Sequence, residues 1–93
     1  MSYKFVRTIA QDKNAFMWFG SSEGLHKFDG YKTISFHHDS AHENSLSSDV
    51  TSRILIDKKQ RLWVATHGGG LNLYREASRD FFHITTKTEK ISL

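Results

Sequence analysis

The 93-residue sequence predicts an all-β fold built from two four-stranded antiparallel units, and three observations support this prediction. A Trp-centred phrase occurs twice, with Trp18 and Trp63 separated by 45 residues. Runs rich in β-branched and aromatic residues alternate with polar turns roughly every ten residues, which is the pattern of short strands. The apolar runs around both Trp residues are hydrophobic on both faces, which is typical of strands covered on two sides.

The two copies begin in the same way. Asp12-Lys13 opens the first copy and Asp57-Lys58 opens the second, and in each copy the Trp follows six residues after the Asp. A fixed period of about 20–50 residues indicates a repeat architecture in which each repeat is one structural unit. Asp side chains readily accept backbone N–H bonds in turns, so Asp12 and Asp57 are predicted to be structural.

The second copy contains one additional Gly in the turn that follows the Trp. Because turns tolerate insertions and strands do not, Gly24 in the first copy and Gly69 in the second are predicted to be structural turn residues. We expect residues 1–48 to form the first unit with its connecting loop, and residues 49–93 to form the second.

Each unit is predicted to contain four strands, and the segment between the units, His37–Ser48, is predicted to be a long polar loop. A helix over Ala41–Asp57 is the alternative, but the β-branched residues in its second half oppose it. The predicted strands are Lys4–Gln11, Phe16–Gly20, Leu25–Asp29, Lys32–His37, Val50–Ile56, Leu62–Thr66, Gly70–Tyr74 and Asp80–Thr86.

The apolar pattern distinguishes between all-β folds. A sandwich strand has one solvated face and alternates cleanly, whereas Phe16–Phe19 and Leu62–Ala65 do not alternate. Four-stranded sheets that are stacked on both faces are the blades of a β-propeller. Both Trp residues are therefore expected in the core, and the small residues Gly20 and Ala65 would allow neighbouring blades to approach closely.

Composition and charge exclude several classes of function. The net charge of +3 comes from 13 basic and 10 acidic residues without a run of Lys or Arg, so no nucleic-acid partner is expected. The absence of Cys excludes disulfides and thiolate metal sites. The segment contains neither a signal peptide nor an apolar stretch of membrane-spanning length, so no membrane contact by this segment is expected.

One end of the predicted propeller carries the candidate ligand site. In a blade whose strands run outward from the channel, the connecting loop and the turn between the second and third strands lie at the same end. His38 and Asp39 of the loop, together with His67 and Gly68 of the turn, are predicted to bind a small molecule or glycan there. The simpler alternative is that His67 only occupies a tight turn.

Metal binding and catalysis are not expected. The residues His37, His38, Asp39, His42 and Glu43 have the side chains of metal ligands, but a flexible loop lacks the rigid outer shell that metal sites need. The sequence also lacks a phosphate-binding loop, a dinucleotide fingerprint and a paired-carboxylate motif. We predict no metal, no cofactor and no catalytic residue, and a propeller lyase or hydrolase remains a minor alternative.

The repeated phrase resembles a known family. The second copy reads Ile-x-x-Asp-Lys-x-x-x-Leu-Trp-Val-Ala-Thr-x-Gly-Gly-Gly-Leu-Asn-Leu-Tyr and follows Ser45-Leu46-Ser47, which closely resembles the two-component regulator propeller repeat. The resemblance covers about residues 5–86 and both copies. It implies a non-catalytic, ligand-sensing propeller in the periplasmic or extracytoplasmic half of a bacterial signalling protein whose output is a histidine kinase or diguanylate cyclase. Several such sensors respond to carbohydrate fragments, and a stand-alone oligomeric lectin-like propeller is the alternative function.

Two repeats depart from the many repeats and the additional membrane and output modules of that family. A closed propeller needs about 4–8 blades, and each repeat buries its apolar faces only against neighbours. We therefore expect either flanking blades outside this segment or a homo-oligomer in which copies join head to tail. Three copies would give six blades and four copies would give eight.

Overall fold

The computed structural model describes residues 6–84 and confirms the all-β fold of two four-stranded antiparallel sheets. Strands that follow each other in sequence are also neighbours in each sheet. None of the described residues belongs to a helix that could cross a membrane. The first sheet contains β1 (Val6–Gln11), β2 (Met17–Ser21), β3 (Gly24–Phe28) and β4 (Thr33–Phe36), and the second contains β5 (Thr51–Ile56), β6 (Leu62–Thr66), β7 (Gly70–Arg75) and β8 (Asp80–Ile84).

The predicted strands agree with these bounds to within one residue at the ends that the structure describes. The predicted strands Lys4–Gln11 and Asp80–Thr86 correspond to β1 and β8, and their outermost residues lie outside the described range. The alternative helix over Ala41–Asp57 is wrong, because its second half forms β5.

The core lies between the two sheets and is largely aromatic. Trp18 and Phe36 come from the first sheet, and Tyr74 and Phe81 come from the second. The ring centroids of Trp18 and Tyr74 lie 5.0 Å apart in an edge-to-face arrangement, and those of Phe36 and Phe81 lie 5.7 Å apart. Such pairs are worth about 0.5–1.5 kcal/mol beyond the area that they bury. The aliphatic residues of this core are Leu25, Leu46, Ile54, Leu62 and Val64.

The close approach predicted at Gly20 is confirmed. A Cβ atom at this position would clash with the Thr51 side chain of the second sheet and lie 2.9 Å from Cγ2 of Thr8. A side chain larger than hydrogen at position 20 would therefore push the two sheets apart.

The connecting loop is not the solvated loop that its composition predicts. Leu46 is fully buried in the core between the sheets. Just before it, the carbonyl of Asn44 accepts a bond of 2.8 Å from the backbone N–H of Phe81, and Ser45 O contacts Nε2 of His83 at 2.5 Å. The loop therefore runs along β8 and closes the gap between the outer strands of the two sheets.

The strand register also identifies the faces that point away from this core. Residues opposite each other in an antiparallel ladder share a face. Leu55 and Trp63 are paired, as are Leu73 and Phe82, and all four lie on the side of the second sheet that is opposite Val64. Leu55 is 60% exposed and Phe82 is 42% exposed, so the outer face of the second sheet presents apolar side chains.

Candidate functional site

The two Asp residues predicted to be structural hold the turns between the first two strands of each sheet. Oδ1 of Asp12 accepts the backbone N–H groups of Asn14 and Phe16, at 2.9 and 3.1 Å. Oδ2 of Asp12 accepts the indole N–H of Trp18 at 2.9 Å, which closes the six-residue spacing between them. Both carboxylate oxygens are thus used in local structure, and both Trp residues are buried as predicted.

Asp57 makes the same arrangement in the second sheet. Its Oδ1 accepts the backbone N–H groups of Lys59 and Arg61, and its Oδ2 accepts the Trp63 indole N–H at 2.8 Å and Nε of Arg61 at 2.7 Å. The indole hydrogen bond is the main cause that holds the pKa of Asp57 well below its usual range, and the bonds with Arg61 add to it. The bond between Asp and indole was not predicted from the sequence, although the equal spacing in the two copies was its signal.

Each sheet has a glycine that closes the turn between its two middle strands. Gly24 closes the ladder between β2 and β3, and Gly70 closes the ladder between β6 and β7, both with positive φ. The counterpart of Gly24 is therefore Gly70. Gly69 is restricted for another reason, because a Cβ atom there would lie 2.7 Å from both Ser47 Oγ and Thr66 Oγ1.

The four predicted ligand residues lie in the turn after β6 and at the start of the connecting loop. The His67 N–H donates to the Val50 carbonyl at 2.8 Å, and its exposed side chain sits beside Gly68 in the turn between β6 and β7. His38 and Asp39 lie at the start of the connecting loop and are exposed as well. Among residues 6–84, no hydrogen bond or ion pair joins His67 to either of them.

His38 and Asp39 stabilise the connecting loop. Nδ1 of His38 lies 2.8 Å from the Leu46 carbonyl, so this imidazole holds the segment that inserts into the core. Asp39 pairs with His42 at 2.7 Å, and its N–H donates to Ser45 Oγ at 2.9 Å. The backbone hydrogen bond from Ala41 lowers the pKa of Asp39 most, and the side-chain hydrogen bond from His42 lowers it further. In the described range, no group of three or more His, Asp or Glu side chains is placed to hold a metal ion.

A buried polar cluster that the sequence analysis missed connects the loop to the turn after β6. The side chain of Asn72 is fully buried, with Nδ2 donating to Ser47 Oγ at 2.6 Å and Oδ1 accepting the Ser47 N–H at 3.2 Å. Ser47 Oγ also bonds to Thr66 Oγ1 at 3.1 Å. This cluster brings the loop and the turn to the same end, as the strand order predicts.

His26 takes the position of Asn72 in the first sheet. It is fully buried, with Nε2 lying 3.1 Å from Ser21 Oγ and Nδ1 lying 2.9 Å from Ser35 Oγ. Burial, followed by the nearby His37, lowers the pKa of His26 and favours the neutral imidazole. The two copies both have a polar residue at this position, which is the signal that the sequence offers for a buried polar side chain.

A groove of about 880 Å³ lies on the outer edge of the molecule, beside β4 and the start of β8. We call it the rim groove, and it lies between residues 35–46 on one side and residues 79–81 on the other. Its lining includes the core residues Phe36, Leu46 and Phe81 together with the polar side chains Asp39, His42, Glu43, Arg79 and Asp80.

The charged groups of the rim groove differ in how firmly they are held. Arg75 binds Asp80 through two hydrogen bonds of 2.7 and 2.9 Å, which fixes the carboxylate and lowers its pKa. Asp39 and His42 hold each other. An apolar base with polar groups around it is the usual composition of a small-molecule site. The groove includes Asp39 of the predicted ligand residues and does not include His38, His67 or Gly68.

Comparisons with known proteins agree with this architecture. A family model described as Two component regulator propeller matches residues 45–68. This segment contains Leu46, which is buried in the core, and Trp63. No curated protein sequence matches the chain. The crystal structure of the extracellular domain of BT3049 from B. thetaiotaomicron, named as a hybrid two component system, matches with a TM-score of 0.77 and 34% identity over 89% of this chain. That of BT4673 from the same organism, also named as a hybrid two component system, matches with a TM-score of 0.69 and 31% identity over 84% of this chain. The chain spans only 12% and 11% of the lengths of these two domains.

Proposed function

Because the chain consists of two-component regulator propeller repeats, we propose that it forms two blades of the extracytoplasmic sensor domain of a bacterial signalling protein. The observation that supports this most is the pair of matching blades, whose counterparts in B. thetaiotaomicron belong to extracellular domains. The segment would bind rather than transform its ligand, and a kinase or cyclase elsewhere in the protein would produce the output.

The outer faces of the two sheets would pack against further blades of the same repeat. The face that carries Trp18 packs against the face that carries Val64. Trp18 and Trp63 occupy equivalent positions, but by the strand register Trp63 lies on the outer face of the second sheet. Val64 and Phe19 are also equivalent, and Phe19 lies on the outer face of the first sheet. Since the related domains are several times longer than this chain, flanking blades of the parent protein are the proposed occupants.

The isolated chain tests this packing. Without flanking blades, the two outer faces should join head to tail, so sedimentation of the 93-residue chain should show self-association that Phe82→Asp weakens. Tyr31→Asp is the matched control, because Tyr31 is 96% exposed in a turn and on neither face. A chain that remains monomeric at high concentration, or one that both substitutions affect equally, would contradict the proposed role of these faces.

The rim groove is the proposed ligand site of this sensor segment, and a carbohydrate fragment is the proposed ligand. The groove offers apolar aromatic surface from the half-buried Phe36 beside fixed polar groups such as the Asp80 carboxylate. Sugar rings present the same combination of apolar faces and hydroxyl groups. The same site would serve a lectin-like protein, which differs from a sensor only in lacking an attached output.

A glycan array probed with the 93-residue chain tests the ligand and its position. We expect Arg79→Ala or Glu43→Ala to reduce binding, because both residues line the groove. His67→Ala is the control, because His67 lies in the separate turn after β6. Loss of binding with His67→Ala alone would move the site to the end predicted from the sequence. A ligand-dependent change in the output of the parent protein would then favour a sensor over a lectin.

A further inference from the structure

A second pocket lies between the two sheets at the opposite end from Ser47 and the turn after β6. It has a volume of about 310 Å³ and lies beside the turns that follow β1 and β5. We call it the turn-end pocket. Its apolar part is formed by Trp18, Ile56, Leu62 and Tyr74, and Lys27 and Glu76 stand at its polar side. It shares no residue with the rim groove.

Asp12, Lys13 and Arg61 also line the pocket, and Lys27 is the cation that faces a carboxylate of the other sheet. Its side chain is only 13% exposed, and Nζ lies 4.4 Å from the Phe16 ring centroid and 5.2 Å from that of Trp18. Aromatic faces attract a cation, but they do not replace the hydrogen bonds that an ammonium group makes in water. An acceptor oxygen at Nζ is therefore needed to complete its environment.

Glu76 brings the nearest carboxylate to Lys27, from an exposed position. Its Oε1 lies 3.7 Å from Nζ of Lys27, and its side chain is 69% exposed. Tyr74 also lines the pocket, and burial, followed by the charge and hydrogen bonding of Glu76, raises the pKa of Tyr74 to about 12. The phenol therefore stays protonated and can donate. Lys27 and Tyr74 thus line one pocket together with a carboxylate that solvent can reach.

The repeat does not require these three groups. Lys27 lies opposite Trp18 in the ladder, whereas Leu73 lies opposite Trp63. Tyr74 and Glu76 stand where the first copy has Phe28 and Gly30. A blade can therefore form without an ammonium, a phenol or a carboxylate at these positions, which leaves their combination at this junction unexplained by the fold alone.

We propose that the turn-end pocket binds a small organic carboxylate, whose acid group displaces Glu76 and is held by Lys27 Nζ and the Tyr74 hydroxyl. The apolar residues Ile56 and Leu62 would contact the body of the ligand. At 3.7 Å the contact between Lys27 Nζ and Glu76 Oε1 is longer than a hydrogen bond, and the Glu76 side chain is 69% exposed, so an incoming carboxylate can replace it. This proposal stands independently of the sensor function and of the rim groove.

Calorimetric titration of the 93-residue chain with matched acids and alcohols tests the proposal. The probes are glucuronate against glucose and benzoate against benzyl alcohol, in which each pair differs mainly in the carboxylate. We expect at least one acid to bind and its neutral partner to bind at least tenfold more weakly, since hydrogen bonds to charged groups are worth about 1.5–3 kcal/mol. Equal binding within both pairs, or no binding of either acid, would overturn the proposal.

Two substitutions separate a ligand site from a purely structural ion pair. Lys27→Met keeps the apolar stem and should reduce the affinity for the acid roughly tenfold or more. Lys58→Met is the control, because Lys58 is exposed and lies outside the pocket. Glu76→Gln removes the competing carboxylate from an exposed turn residue and should tighten binding severalfold. Unchanged or weaker binding by Glu76→Gln would refute the displacement, even if Lys27→Met fails to fold.

Discussion

Leu46 is predicted to be the main anchor of the connecting loop, and its truncation should destabilise the protein far more than its polar surroundings suggest. The side chain is fully buried among residues of both sheets. Buried Leu→Ala substitutions cost roughly 2–5 kcal/mol, because apolar contacts are lost and a cavity remains. We expect about 3 kcal/mol for Leu46→Ala, since the loop around it is also held by hydrogen bonds and cannot fully collapse into the cavity.

The chain provides a matched control for this substitution. Leu55→Ala is the same chemical change at a position that is 60% exposed, so it should cost less than about 1 kcal/mol. Urea unfolding, followed by Trp fluorescence at a concentration where the chain is monomeric, measures both. With a slope of about 1 kcal/mol per M for a small domain, Leu46→Ala should lower the midpoint by roughly 3 M or leave the chain unfolded in buffer. Equal midpoints for the two variants would refute the anchoring role of Leu46.

Three further substitutions test the packing and the titrating groups. Gly20→Val should separate the sheets, because its side chain would collide with Thr51, and circular dichroism in the near ultraviolet should lose its signal. The lowered pKa of His26 means that the folded state binds fewer protons than the unfolded state, so stability should fall as pH drops through about 6.5. His26→Asn should flatten this dependence in urea titrations between pH 7.5 and 5, and an unchanged slope would contradict it. Because the pKa of Asp57 is also lowered, its contribution is present above its unfolded pKa of about 3.9 and is lost in stronger acid. Asp57→Asn should therefore unfold with a weaker pH dependence below pH 4, as followed by Trp fluorescence.

The strands and their pairing could be predicted because the same information occurs twice. The period places the strands, and the apolar runs around Trp18 and Trp63 indicate sheets that are covered on both faces. The path of the connecting loop could not be predicted in this way. Its composition is polar, and whether a single Leu46 reaches the core depends on the distance between the outer strands β4 and β8, which only the packing of the sheets determines.

The candidate sites were harder to predict for the same reason. The rim groove combines residues 35–46 with residues 79–81, which meet only because the loop follows β8. The predicted site assumed that His38, Asp39 and His67 share one end of the molecule. The assumption about the strand ends was sound, since Ser47 contacts Thr66 there. His38 also stays near that end, because its N–H donates to Asp49 Oδ1, next to Val50, whose carbonyl accepts the His67 N–H, so a site shared by these residues stays a prediction.

Differences between the two copies distinguish residues that the blade fold requires from residues that it does not require. Each Trp has one cation over its ring, but the cations come from different positions: Lys27 lies 5.2 Å from the ring of Trp18, and Arg61 lies 5.4 Å from that of Trp63. The counterpart of Arg61 is Phe16, and the counterpart of Lys27 is Leu73, so a cation and an apolar residue have exchanged places between the copies.

Because of this exchange, a cation lies over the ring of each Trp, and the surroundings of the two Trp residues are similar. The exchange does not explain why Lys27 also faces a carboxylate from the other sheet. Arg61 is held by Asp57 within its own turn, whereas Lys27 depends on Glu76, which stands where the first copy has Gly30. A fold-maintaining cation would be satisfied locally, as Arg61 is. The reach of Lys27 across the junction to an exposed acid is therefore the feature of this blade pair that argues most directly for a ligand at the turn-end pocket.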